Sequence, residues 1–230
     1  MDRRLFAKLC LGTVSAPLFA IEKPKEQKEE TKVFLTIDDG WHYKKTILEM
    51  ADHYKVPLNM FIIGKIIEED PKVWQKAVEK GHMLGSHSQH HHKFSKTDKK
   101  TIYNDFKEYQ KCVVNTLGKE SFEKIKYFRF PYGDRGKGEV KTTAEGIIAD
   151  NGWHQSWWTM DLSFSSNGYG VKAFKSPQDQ LRKFVSSVKS VNVPLFHFKD
   201  PDVRALELVI QYGLSKGYKF CRLDSEKHIV

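Results

Sequence analysis

Cysteine is scarce in these 230 residues: there are three, at positions 10, 112 and 221. If the N-terminal leader described below is removed, Cys112 and Cys221 remain, enough for one disulfide at most. One falls in an expected helix and the other in an expected strand, and their spacing leaves a bridge or two buried thiols equally open. Long apolar runs are also missing, apart from one stretch from Leu5 to Ala20 that Lys8 interrupts. It is too short and too broken for a membrane span. No basic-aromatic recognition motif accompanies the net charge of +9, which weighs against nucleic acid as a partner. No internal repeat is evident beyond an alternation of strand and helix signals.

The N-terminal stretch reads as a secretory signal over residues 1–20. Arg3-Arg4 precede the apolar segment, and small residues cluster near a cleavage point after Ala20. Asp2 to Lys8 also resembles a twin-arginine export pattern, with Asp and Ala at positions usually taken by Ser or Thr and by Leu. An uncleaved anchor is the competing reading. Residues 21–32 carry alternating charge without apolar periodicity, the composition of a flexible linker. Without residues 1–20 the chain holds 35 Lys/Arg against 28 Asp/Glu, or +7, suited to an anionic surface such as cell-wall polymer. The folded domain is expected over 33–230, and its length allows one sizeable core.

From Val33 onward strand and helix signals alternate. Strands are expected at 33–37, 58–63, 82–85, 127–130, 154–160, 193–198 and 218–223. Helices are expected at 43–55, 71–81, from the Thr97/Asp98 cap to Leu117, at 140–150, from the Ser176-Pro177 cap onward, and at 201–216. Seven such units imply a parallel α/β architecture, either a barrel or a doubly wound sheet. Reactive groups then belong at the carboxyl ends of strands, where the polar residues stand: Asp38/Asp39, His87 to His92, Arg129 to Gly133, Asp161 and His197.

Asp38 and Asp39 close an apolar run before Gly40, and adjacent side chains at a strand end point to different sides. One carboxylate can bind a metal while its neighbour faces the bound water as a base. Asp-Asp-Gly alone is ordinary turn chemistry. His87 and His91, four apart, share one side of a helix-like turn. Two His and one Asp suit zinc or a similar divalent ion and leave a position open for water; in isolation a solvated histidine-rich loop explains the run equally well. His90 and His92 fit the same face less well.

Taken together, TIDDG (36–40), HSQHH (87–91), RFPYG (129–133), Asp161 and LFH (195–197) resemble the polysaccharide deacetylase family, the NodB-type carbohydrate esterases of family 4. The likeness runs from about 33 to 223 in the family's order. It implies an irregular (β/α)7 barrel and an exported hydrolase acting on N-acetylated polysaccharide. It implies Asp38 as base, His197 as general acid, and Asp39, His87 and His91 as ligands of a divalent metal, zinc above all, with cobalt or nickel as alternatives. It further implies that Arg129 pairs with Asp38, that the Tyr132 N–H holds the oxyanion, and that Pro131 and Gly133 shape the groove wall. Trp41 and Tyr132, next to motif residues, are the candidate sugar platforms.

Two positions depart from the family pattern. The fourth motif usually carries a second Asp that contacts the acid histidine, and Phe164 stands there. Phe198 follows His197 where Asp is frequent. Asp161 is left to contact Arg129 or His197, or only to cap a loop. An O-acetyl esterase, whose leaving group needs less protonation, and a metal-containing glycan binder without catalysis are the alternatives.

Overall fold

The computed structural model describes residues 30–164 and 174–225. The leader, residues 21–29 of the expected linker, and most of the Ser-, Gly- and Asn-rich stretch after Phe164 lie outside the described residues. Among those described, no helix is long and apolar enough to cross a membrane.

The first expected strand is two, β1 (Lys32–Val33) and β2 (Thr36–Asp39). Helix α1 (Lys44–Tyr54), β3 (Asn59–Ile62) and α3 (Pro71–Glu79) follow as the periodicity implies. Between β3 and α3 an unexpected helix, α2 (Gly64–Glu69), fills what reads as a loop. Then come β4 (Met83–Ser86) and the 19-residue α4 (Lys99–Leu117). Asp98 caps α4, its carboxylate accepting the Thr101 N–H at 2.9 Å. A short α5 (Lys119–Glu123), β5 (Tyr127–Phe128) and α6 (Gly138–Asp150) continue the chain.

Seven parallel strands form a curled sheet in the order β6-β5-β4-β3-β2-β9-β7. The expected strand at 154–160 is in fact β6 (His154–Gln155) and β7 (Met160–Asp161), and these stand at opposite edges. β6 pairs with β5 and β7 with β9. Residues 156–159 therefore bridge the gap in the wall. Helix α7 (Pro177–Ser187) begins at Ser176, whose hydroxyl accepts the Asp179 N–H, and leads through β8 (Val191–Asn192) to β9 (Pro194–His197) and α8 (Asp200–Ser215). The last expected strand does not join the wall. β10 (Lys219–Phe220) pairs with β1, which also pairs with β8, in a small separate sheet at the amino ends of the main strands. Asn59 pins this floor, its side chain bonding the Leu35 and Cys221 carbonyls and the Leu223 N–H.

Strand alternation sorts the core into two. Leu35, Ile37, Met60 and Ile62 join the larger cluster packed against the helices. Phe34, Phe61, Met83, Tyr127, Val193, Cys221 and Leu223 form a smaller cluster within the curl of the sheet. Cys112 is a free buried thiol in the larger cluster, its Sγ donating to the Gly64 carbonyl, so it does not bridge to Cys221. Burial pushes that thiol up to about 12.

Candidate active site

The same parity that points Phe34 inward points Thr36 and Asp38 inward. β2 lies between β3 and β9 in parallel register, with Asp38 opposite Phe61 on one side and His197 on the other. Asp39 adopts φ 86, a left-handed conformation that turns its side chain off the strand line toward the rim.

Arg129 follows β5 and enters the curl with no exposed surface. Its Nη1 donates to Asp38 Oδ1 at 2.9 Å and to Thr36 Oγ1 at 2.8 Å. Nη2 donates to Ser156 Oγ and the Trp157 carbonyl, both at 3.1 Å, and Nε to the Ser156 carbonyl at 3.3 Å. The guanidinium lies 4.1 Å from the centre of the Phe61 ring. Burial lowers the Arg129 pKa, and the Asp38 carboxylate opposes that fall. One oxygen of Asp38 is fixed by this anchor. The other, Oδ2, stands 3.8 Å from His87 Nε2.

His87 closes the turn after β4. A carbonyl oxygen can only accept, so the 2.8 Å contact between His87 Nδ1 and the Arg129 carbonyl places the proton on Nδ1. Nε2 therefore presents a lone pair, 3.5 Å from Asp39 Oδ1. His91 Nε2 is 3.2 Å from the same oxygen, and the three donor atoms lie within 4.8 Å of one another. Asp39 Oδ1 is buried and accepts no hydrogen bond of good geometry. Burial alone would raise the Asp39 pKa; the His87 and His91 rings, when protonated at Nε2, outweigh it and hold the carboxyl far below its ordinary range.

A lone pair and a carboxylate oxygen facing each other at this range repel unless a proton or a cation lies between them. Ligands about 2.1 Å from a tetrahedral zinc lie about 3.4 Å apart, close to the two Asp39–His separations. The donor set thus fits a divalent metal. His90 Nε2 instead meets Glu108 at 2.7 Å on the surface, and His92 approaches Asp105 at 4.0 Å.

A cleft of about 290 Å³ opens over these groups, lined also by Tyr132, Gly133, Trp158, Leu195, His197 and Lys199. Tyr132, at φ 58 and half-exposed, lays its ring 4.5 Å from that of His91. Pro131 is buried beneath the turn, and Gly133 forms part of the wall. A Cβ on Gly133 would meet the Trp158 ring at 3.0 Å. Trp41 is exposed and does not line the cleft. Gly40, at φ 102, packs tightly on Trp74 and Ile66, and the chain leaves the rim there. The indole on the cleft wall is Trp158, whose place depends on the gap between β6 and β7.

Asp161 lines the cleft but is engaged with its own loop, accepting from the Ser163 N–H at 2.8 Å and the Ser163 hydroxyl at 2.6 Å. His197 has a partner that motif reading missed. Asp202, fully buried in the first turn of α8, accepts the His197 N–H at 2.8 Å and stands 3.5 Å from His197 Nδ1. Burial pulls the His197 pKa down, but Asp202, Asp39 and Asp38 together raise it above its ordinary value. A sequence signal existed only as an acid five residues beyond the histidine at a helix start, where capping is the ordinary explanation.

A family model described as polysaccharide deacetylase matches residues 25–147. The chain belongs to that family. It is 30% identical over 208 residues to a peptidoglycan-N-acetylglucosamine deacetylase of Bacillus cereus, spanning 87% of this chain and 72% of that protein. To the peptidoglycan-N-acetylglucosamine deacetylase PgdA of Listeria monocytogenes it is 29% identical over 214 residues, 89% of this chain but only 41% of that protein. Its fold matches the peptidoglycan deacetylase PdaC of Bacillus subtilis with a TM-score of 0.70 at 16% identity, covering 85% of this chain and 89% of that one. A carbohydrate esterase family 4 pseudoenzyme of Bacillus anthracis matches with a TM-score of 0.69 at 19% identity, covering 85% and 65%. The seven-strand parallel curl is thus the family's irregular (β/α) barrel.

Proposed function

We propose that this polysaccharide deacetylase family member hydrolyses the acetamide of N-acetylated sugar in cell-wall glycan. The observation that carries the reading is the division of labour at the end of β2. Asp38 is clamped by a buried guanidinium, while Asp39 shares one oxygen with two imidazole nitrogens. A glycan binder would need the second arrangement and gain nothing from the first.

A divalent metal held by Asp39, His87 and His91, zinc by preference, would supply an acidified water and polarise the acetyl carbonyl. The residues of the chain do the rest. Asp38, fixed through Oδ1, directs Oδ2 at the attacking water and takes its proton. Arg129 holds that carboxylate in place and keeps it from swinging toward Asp39. The Tyr132 N–H, at the left-handed turn after Pro131, is assigned to the developing oxyanion. His197 stands across the cleft and gives its Nε2 proton to the departing sugar amine as the C–N bond breaks. Tyr132 and Trp158 offer aromatic faces to the sugar ring, and Lys199 places a cation at the rim. Residues 1–20 are assigned as a leader that carries the protein to the cell envelope, and the stretch between it and β1 as a tether; the expected linker stops short of residue 32, since Lys32 is held in β1. The relatives named for peptidoglycan favour that polymer.

The test is acetate release from peptidoglycan, chitin oligomers and acetylated xylan. It is run with chelator-treated protein, after zinc, cobalt or nickel is restored, and with Asp38→Asn. Metal-dependent release from the two amide substrates, lowered at least about 100-fold in Asp38→Asn, is expected. Release from xylan alone would make the protein an ester hydrolase. Metal and glycan binding with no acetate from any substrate would make it a binding protein.

A further inference from the structure

Phe164 stands where the resemblance implies a carboxylate, yet the structure places one beside the imidazole from another element. We propose that Asp202, from the first turn of α8, is the positioning residue that orients and charges His197. The inference rests on the deacetylase reading only for what His197 protonates.

Asp202 reaches three segments at once. Oδ2 accepts the His197 N–H at 2.8 Å, stands 3.5 Å from Nδ1 and lies 3.9 Å from Lys199 Nζ. Oδ1 accepts the Phe164 N–H at 2.7 Å and Gln180 Nε2 at 2.9 Å. The backbone of residue 164 is therefore already against this carboxylate, so the acid occupies the neighbourhood where a side chain at 164 would carry one. Gln180 is itself fully buried and also bonds the Leu162 carbonyl, fixing α7 beside the pair. His197 Nδ1 is buried and makes no hydrogen bond of good geometry; the Asp202 carboxylate, 3.5 Å away, is the group that approaches it.

The consequence is a defined tautomer and orientation. With Nδ1–H turned to Asp202, Nε2 faces the cleft. In the protonated ring Nε2–H passes to the amine nitrogen as the C–N bond breaks, while Asp202 keeps its charge and transfers no proton. The charged and titratable groups around the ring are Asp202 from α8, Lys199 beyond its own strand end, Asp38 and Asp39 from β2, Asp161 from the neighbouring β7, and the His87 and His91 rings on the same cleft. Asp202 is the one of these that approaches Nδ1, at 3.5 Å.

The decisive variant is Asp202→Asn in the full chain, read in two ways. The His197 ring is titrated by NMR in zinc-loaded protein and assigned with His197→Gln. Turnover is compared on an N-acetyl sugar and on an O-acetyl sugar. We expect the ring to titrate about one pH unit lower. We also expect amide kcat to fall about tenfold or more with KM little changed, the alkaline limb moving down, and the ester to lose far less. An unmoved ring titration, or equal losses on amide and ester, would show Asp202 to be only a brace between α7 and α8. Should Asp202→Asn not fold, the unmodified protein decides. A far-downfield Nδ1–H resonance of protonated His197 supports the pairing, and a ring proton exchanging as freely as in solvent refutes it. The titration and the resonance need no turnover, so failure of the deacetylase reading leaves this inference separately testable.

Discussion

Asp38 and Arg129 are buried together, and neither can be removed without stranding the other. Deleting one partner of such a pair costs about 3–5 kcal/mol, because an uncompensated charge stays in a dry site. Asp38→Asn should therefore lower thermal stability as well as activity, and Arg129→Met should do the same. The double variant should recover a large part of the stability and none of the activity. A denaturation cycle over the four proteins checks this; simple additivity of the two losses would mean that Ser156, Trp157 and Thr36 alone satisfy the guanidinium. Asp38, Asp39, His87, His91, Arg129 and His197 were legible because each ends or follows a strand and belongs to a set whose order is recognisable. Asp202 was not. Its place beside His197 depends on how α8 packs over the end of β9, and nothing in a one-dimensional pattern distinguishes an acid that caps a helix from one that turns back to an imidazole. Trp158 was obscured for a related reason: an apolar, aromatic run reads as one strand, and only the three-dimensional closure splits it.

At the scale of elements, the histidine turn is held by a helix, α4, that lines no part of the cleft. Asp105 of α4 is buried under residues 87–92 and accepts the Gln89 N–H at 2.8 Å and the His90 N–H at 3.0 Å. Burial raises the Asp105 pKa, and those two N–H groups oppose the rise. Ser88 and His91 both adopt left-handed φ, at 66° and 58°, and the Ser88 hydroxyl accepts the His91 N–H at 2.9 Å. This strained turn keeps its shape because Asp105 satisfies the amides it leaves exposed. Asp105→Asn places an amide donor against one of those N–H groups. Metal affinity should fall about 10–100-fold, as for other supports behind a ligand, measured by competition with a zinc chelator. Unchanged affinity would assign the turn's rigidity to Ser88 and to the His87 bond with the Arg129 carbonyl. The long helices were read close to their true bounds from caps and periodicity. α2 and α5, at six and five residues, are too short for a 3.6-residue pattern to rise above a loop.

Taken whole, the molecule keeps its chemistry at the carboxyl ends of the strands and its stability at the floor, which makes the two separable by pH. His82 begins the strand region at the floor, 6% exposed, with Nδ1 accepting the Leu58 N–H at 3.3 Å and Nε2 without a partner. Burial, then Lys80 and Arg222, push its pKa down to about 4. A ring held neutral in the fold but free to protonate when unfolded lets the unfolded chain bind more protons between about pH 6.5 and pH 4. Stability should therefore fall as pH drops through that window and level off below it, by about 3 kcal/mol at most for this residue. His197 acts with the opposite sign: its raised pKa contributes stability below about pH 6.5 that is lost as pH rises through the folded value. The difference between wild type and His82→Asn isolates the floor, since the Asn oxygen can still accept the Leu58 N–H. Urea unfolding at pH 7, 6, 5 and 4 should show a shallower decline for the variant, with the metal site and acetate release at pH 7 unaffected. Parallel declines would place the acid sensitivity in the cleft carboxylates rather than beneath them.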